Sequence, residues 1–194
     1  TEDILREAEE LKPPSPEEKL KELVSRYGIS RDLAEQLLHT PYLHLFEYLV
    51  GLVGKELSPT IIASTLTSTI RSLRSEGVDV DKLSDDDIVK VIEAVAKGKI
   101  AKEAIPELLK YYAENPGKPI DEAIKVLGIE RISVDEVMRI IDEIISKNMD
   151  IVKKRGERAF GMIMGKAMSI LRGKADGKLV AQLVKKKIED ILHK

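Results

Sequence analysis

Arg158-Ala-Phe-Gly-Met-Ile-Met-Gly-Lys-Ala-Met-Ser-Ile-Leu-Arg-Gly-Lys174 reads as a helix with two unlike faces. At about 100° per residue, Ala159, Phe160, Ile163, Met164, Ala167, Met168, Ile170 and Leu171 share one half of the helix. The other half holds Arg158, Gly161, Met162, Gly165, Lys166, Ser169 and Arg172. A solvent face normally carries long helix formers, yet this one has two glycines, each costing about 1 kcal/mol relative to alanine in a helix interior. Something is meant to come close to that backbone. Gly161 and Gly165 could admit a second helix at short range. A polyanion could equally lie against the bare backbone, with Arg158, Lys166 and Arg172 as flanking cations. Charge favours the polyanion. From Lys147 onward there are 13 basic and 5 acidic residues, against 19 basic and 29 acidic before it, so the net charge of −2 hides two opposite regions.

The rest of the composition points to an all-α protein. Two Phe, five Tyr and no Trp leave few strand-forming aromatics among abundant Lys, Glu, Leu, Ile and Ala. With 194 residues the chain can bury a substantial core. The absence of cysteine removes disulfides, thiolate catalysis and cysteine metal ligands. No apolar run approaches the roughly 20 residues that span a bilayer, and Thr1-Glu-Asp-Ile has neither a basic start nor a cleavage pattern, so the expected location is cytoplasmic. A start without Met is read as a fragment or a trimmed chain.

Punctuation divides the chain into three parts. Residues 1–56 read as a linker and a small helical cluster. Thr1 to Leu11 is an acidic helix candidate, and Lys12-Pro-Pro-Ser-Pro16 is a stiff extended connector. Helices follow from Pro16 to about Arg26, from Ser30 toward Pro41, and from Pro41 to Val53. Residues 57–116 form a helical body. Ser58-Pro59 opens a helix to Glu76 whose many hydroxyl residues are poor helix formers, so burial must hold it. Arg71 and Arg74 beside those hydroxyls are weaker phosphate candidates. Ser84 caps a helix with Asp85, Asp86 and Asp87 in its first turn, where acids suit the helix dipole. The next helix runs to about Glu114. Glu114-Asn-Pro-Gly-Lys-Pro119 is the clearest break, taken as a hinge before a tail of residues 117–194. Within the tail, Ile120–Leu127 and Ser133–Lys147 read as helices, the second with a capping box at Ser133 and Glu136. The basic helix and a last helix from Asp176 complete it.

No catalytic constellation is visible. His39, His44 and His193 stand in no metal or triad spacing, and there is no Walker A run, no Gly-x-Ser-x-Gly and no His-Glu-x-x-His. Neither catalytic nor metal-binding residues are assigned.

The segment Gly161-Met-Ile-Met-Gly-Lys-Ala-Met168, then Arg172-Gly-Lys-Ala-Asp-Gly-Lys-Leu-Val180 and an amphipathic helix, resembles the tail shared by YqeY-like proteins and the B and E subunits of tRNA-dependent amidotransferases. Here Asp176-Gly177 replaces the family's Asn-Pro, keeping a capping side chain but losing proline at the first helical position. Glu22-Leu-Val-Ser-Arg-Tyr-Gly-Ile29, Ser58-Pro-Thr, Glu76-Gly-Val-Asp-Val80 and Gly98-Lys-Ile-Ala-Lys-Glu-Ala-Ile-Pro106 extend the likeness over Lys19 to Lys194, toward the archaeal E subunit (GatE).

The resemblance implies a helical bundle followed by a small YqeY-like tail. It also implies a non-catalytic part of the ATP-dependent ligase that converts Glu-tRNA(Gln) to Gln-tRNA(Gln). By the same resemblance this part holds the outer corner of tRNA(Gln) by shape and phosphate contacts. ATP and magnesium would belong to a catalytic domain absent from this sequence, and the amidotransferase D subunit would be met through the full-length protein. The tRNA-binding candidates are Arg155, Arg158, Lys166, Arg172, Lys174 and Lys178, with Gly161 and Gly165 permitting close approach; Lys99 and Lys102 are weaker. A helical protein-interaction module using the glycine face is the alternative.

Overall fold

A computed structural model describes residues 14–193, and the expected helix at residues 1–11 lies outside them. Among the described residues the chain is helical, with no strand. It divides into two compact units, one ending at Ser72 and one spanning Leu73–Lys194. The division falls inside the serine- and threonine-rich helix, not at the expected breaks after residues 56 and 116.

In the first unit, α1 (Pro16–Tyr27) starts from a complete capping box. Ser15 Oγ accepts the Glu18 N–H, and Glu18 accepts the Ser15 N–H at 2.7 Å. Gly28 ends α1 at φ +67°, a left-handed stop that only glycine takes at no steric cost. Ser30 caps α2 (Arg31–Leu38), and α3 (Leu43–Val53) supplies Phe46 to the core, edge-on to Tyr27. Leu23, Leu37, Leu49 and Ile62 are fully buried beside them.

The hydroxyl-rich helix forms as expected but not as a regular α-helix. Pro59–Ser64 (α4) passes through a π-helical turn, Thr65–Thr69, into Ile70–Ser75 (α5). Thr65 Oγ1 donates to Ile61 O and Thr67 Oγ1 to Ala63 O, both at 2.8 Å. Such bonds to carbonyls four residues back satisfy buried hydroxyls and loosen the helical ladder. The neighbouring arginines, expected as weaker phosphate candidates, are exposed and have partners within the chain. Arg71 contacts Gln36 Oε1, and Arg74 pairs with Asp81 at 2.6 Å.

In the second unit, α6 (Asp85–Ala96), α7 (Ile105–Glu114) and α8 (Ile120–Leu127) pack together. Ser84 caps α6 as expected, but the three aspartates are not equivalent. Asp86 is exposed and pairs with Lys90, whereas the Asp87 carboxylate is fully buried. Asp87 accepts from Ser84 Oγ at 2.8 Å, from Lys90 Nζ at 3.2 Å and from the Gly117 N–H at 3.2 Å. The Pro/Gly segment read as a hinge is therefore tied to α6. Tyr112 ties it again, donating its phenolic O–H to Lys118 O at 3.0 Å.

The tail's own apolar cluster takes Val137, Ile141, Ile144 and Ile145 from α9 (Val134–Lys147) and Val152 from α10 (Met149–Arg155). α11 (Phe160–Leu171) contributes Ile163, Ala167 and Leu171; α12 (Gly177–Leu192) contributes Val180, Val184 and Ile188. These are the periodic apolar positions of amphipathic helices. α8, grouped by sequence with the tail, packs instead against α6 and α7. Two details depart from expectation. Only half of the capping box at Ser133 forms, with Ser133 Oγ accepting the Glu136 N–H, and Ile170 is 48% exposed despite its place on the apolar half.

The anchored turn can be probed at both of its ties. Asp87→Ala leaves the Gly117 N–H and Lys90 without their buried acceptor and should lower unfolding free energy by about 2 kcal/mol, read by urea denaturation. Burial pushes the Tyr112 phenol up to about 12 from its ordinary 10.0. Its contribution to stability is complete below pH about 10. Between about 10 and 12 only the unfolded chain gives up the proton, so stability falls as pH rises. Tyr112→Phe should cost ~1 kcal/mol at neutral pH and flatten that alkaline fall in denaturation curves recorded from pH 8 to 12.

Candidate functional site

The glycine face of α11 is open. A Cβ added at Gly161 or Gly165 would meet nothing within 4 Å, so no element of the described chain packs on it. Both glycines are exposed, while Ile163, Ala167 and Leu171 on the opposite side are fully buried. Close helix packing within the chain does not account for the pair.

The cations around this face differ in their state. Lys166 is tethered, its ammonium donating to Asn148 Oδ1 at 2.7 Å while Asn148 Nδ2 donates to Ile144 O at 2.6 Å. A neutral partner leaves its charge uncancelled. Lys99 is neutralised by Asp121 at 2.8 Å. Arg155, Arg158, Arg172, Lys174, Lys178 and Lys102 make no ion pair with any described residue, and all but the half-buried Lys174 are exposed or partly so. Lys153 and Lys154 are equally exposed and make no ion pair with any described residue, and the run Lys153-Lys-Arg155 was the signal for them. By contrast, Lys187 spends its charge across the tail core, on Asp142 at 2.7 Å.

The candidates do not form one cluster. Arg155 ends α10, and Arg158 lies in a 3-10 turn, Gly156–Ala159, before α11 begins. Arg172 lies just beyond the other end of α11, roughly 18 Å along a helix of its length. At that far end a groove of about 930 Å³ brings Gly165, Arg172 and Lys174 together with Met168, Glu103 and Glu107. Its walls are joined by backbone bonds. Arg131 N–H donates to Lys99 O at 3.2 Å, and Ile132 N–H to Lys174 O at 3.1 Å. Lys99 thus works through its carbonyl.

Asp176 caps α12 as expected, accepting the N–H groups of Lys178 and Leu179. Glycine in place of the family's proline leaves a free N–H at Gly177, and Glu103 Oε1 accepts it at 3.1 Å. A Cβ on Gly177 would stand 3.1 Å from that same oxygen. Glu103, 74 residues away, was missed as a site residue because no local pattern marks it. Among the described residues no cluster of three or more His, Asp or Glu is placed to hold a metal ion.

The glycines separate into two kinds. Gly173 has φ +78°, and its Cβ would stand 3.2 Å from the Ala104 Cβ, so Gly173→Ala should destabilise the fold by about 1–2 kcal/mol. Gly161→Ala and Gly165→Ala should each stabilise it by about 0.5–1 kcal/mol. Thermal unfolding of the three variants reads the opposite signs.

Known proteins share this sequence over nearly its whole length. A family described as the GatB domain matches residues 44–188. The GatE-type subunit of the glutamyl-tRNA(Gln) amidotransferase of Aeropyrum pernix is 42% identical over 191 residues, covering 98% of this chain and 30% of its own length. Its counterpart in Methanocaldococcus jannaschii is 41% identical over 179 residues, 92% of this chain and 28% of its own. The counterpart in Saccharolobus solfataricus is 35% identical over 192 residues, 99% and 30%. This chain therefore spans about three tenths of the length of the relatives it matches, in their carboxy-terminal part. No helix among the described residues is long and apolar enough to cross a membrane. The chain, with its open glycine helix and capped final helix, belongs to the GatB domain family.

Proposed function

We propose that this chain is the tRNA-gripping, non-catalytic part of the E subunit of a glutamyl-tRNA(Gln) amidotransferase. The supporting observation is the bare α11 backbone at Gly161 and Gly165, bracketed by cations that no acidic side chain among the described residues neutralises. Side chains held in ion pairs must break them to reach phosphate; these need not. A glycine surface lets a sugar–phosphate backbone approach within contact of peptide groups, and contacts of this kind position RNA by its shape. The tail holds few exposed aromatic rings, which suits phosphate reading over base stacking. On this reading ATP and magnesium chemistry, and pairing with the D subunit, lie in the remainder of the longer relatives. The location is the cytoplasm, where tRNA is charged.

The alternative reading, a partner helix seated on the glycine face, also uses the open surface at Gly161 and Gly165. The unpaired cations around it favour the polyanion.

Titrating the chain with tRNA(Gln) and with an unrelated tRNA of equal length across a salt series separates the two. Affinity should fall steeply with salt. Arg158→Ala and Arg172→Ala should weaken binding and reduce the slope of log K against log salt by about 1 each. Binding that salt leaves unchanged, or slopes that the substitutions do not alter, would reject the proposal in favour of a protein partner.

A further inference from the structure

Asp176-Gly177 is the one Asp-Gly step in the sequence, which has no Asn-Gly. Such a step is chemically weak. With no side chain on the glycine to obstruct it, the Gly177 nitrogen can turn onto the Asp176 Cγ and close a five-membered imide. The N–Cγ bond forms as a Cγ–O bond breaks, and the departing oxygen leaves as water with the amide hydrogen and the carboxyl proton. Water then opens the imide at either carbonyl, restoring aspartate or giving isoaspartate, whose main chain runs through Cβ and Cγ. The mass is unchanged.

The surroundings oppose this reaction. Ring closure requires a negative ψ, with the nitrogen eclipsing Cβ, whereas Asp176 stands at ψ +125°. Its Oδ1 accepts the N–H groups of Lys178 at 2.8 Å and Leu179 at 3.1 Å, which holds the carboxylate over the first turn of α12. Any helix capped by aspartate shares these features. The Gly177 N–H is the particular one. It is an amide of the first turn, with no partner inside its own helix, and Glu103 Oε1 accepts it at 3.1 Å from 74 residues away. Turning ψ toward the imide pulls that N–H off the carboxylate. The negative charge beside the nitrogen also disfavours loss of the amide proton, which the nitrogen must shed to attack. Glu103 is firmly seated, its second oxygen being closed to solvent.

We propose that Asp176 is a site of spontaneous isomerisation to isoaspartate, and that Glu103 is the positioning residue that restrains it. The reaction proceeds when the bond between Glu103 and Gly177 opens. Isoaspartate adds an atom to the main chain and moves the carboxylate off the cap, so it unseats the start of α12, the helix that supplies Val180, Val184 and Ile188 to the tail core. The modification therefore marks chains in which this contact has been lost. It does not depend on the tRNA reading.

The test ages the full chain at neutral pH, below the melting temperature of every variant, beside a free peptide of the sequence Arg172-Gly-Lys-Ala-Asp-Gly-Lys-Leu-Val180. Isoaspartate at position 176 is read by electron-transfer fragmentation of the digested chain and by enzymatic isoaspartyl methylation. Wild type should isomerise at least about tenfold more slowly than the peptide. Glu103→Ala should raise the chain's rate about tenfold, the equivalent of one charge-assisted hydrogen bond. Glu103→Gln, which keeps an acceptor without the charge, should raise it by less. Gly177→Pro has no amide hydrogen to lose and should form no isoaspartate at this position, alone or combined with Glu103→Ala. Asp87→Ala weakens the same unit away from Gly177 and should leave the rate near that of wild type, which separates the contact from general loosening. Glu103→Ala that isomerises no faster than wild type, wild type as fast as the peptide, or an equal rise in Asp87→Ala would overturn the proposal. If Glu103→Ala does not fold, Glu103→Gln decides: a rise at Asp176 supports the restraint, and a rate no higher than wild type overturns it.

Discussion

Two adjacent peptide groups hold the second unit together. The Arg131 N–H reaches Lys99 O, and the next N–H, of Ile132, reaches Lys174 O. One irregular segment thus bonds the turn after α6 and the turn after α11 through consecutive amides. The arrangement requires the chain to pass close on both sides. Gly173 meets that requirement on the tail side, with φ +78° and Ala104 so near that a Cβ would be compressed against it. Glu103 adds the last tie, taking the amide that a proline at position 177 would not have offered. The groove lies beside these bonds, and its lining draws on both sides of the joint.

Electrostatics in the tail follow a division of labour. Lys187 spends its charge on Asp142, and Lys166 is aimed by neutral Asn148 without being cancelled. The cations near the two ends of α11 have no ion-pair partner among the described residues and lie mostly in water, which costs little there because long basic side chains are well solvated. Such a surface gains stability from none of them. It is the expected state of a surface that exchanges small counterions for a polyanion, and it explains why a chain of net charge −2 can present a basic face.

Much of the fold was readable because helices announce their ends locally. Ser30, Ser84, Ser133 and Asp176 cap where their positions suggested, Gly28 and Gly128 stop helices in the left-handed conformation, and apolar periodicity in α9, α11 and α12 named most of the tail core. Each of these signals acts within about four residues. The misreadings share a different character. Asp87 looked like its two neighbours until Gly117, 30 residues on, was found bonded to it. The segment around Pro116 looked like a hinge because prolines and glycine break the local helical pattern, and a distant carboxylate holds it.

For the site, the sequence by itself determined its materials: two glycines on the polar side of a helix, a surplus of basic residues after Lys147, and a capped helix to follow. Helical periodicity and charge counting act along the chain, so both were legible without coordinates. Only the tertiary structure decided which cations are unpaired, that the glycine face has no occupant from the described chain, and that Glu103 joins Arg172 and Lys174 across a groove. The reason is physical. Pairing, burial and enclosure depend on which surfaces meet, and residues 74 positions apart meet only when the whole unit has folded.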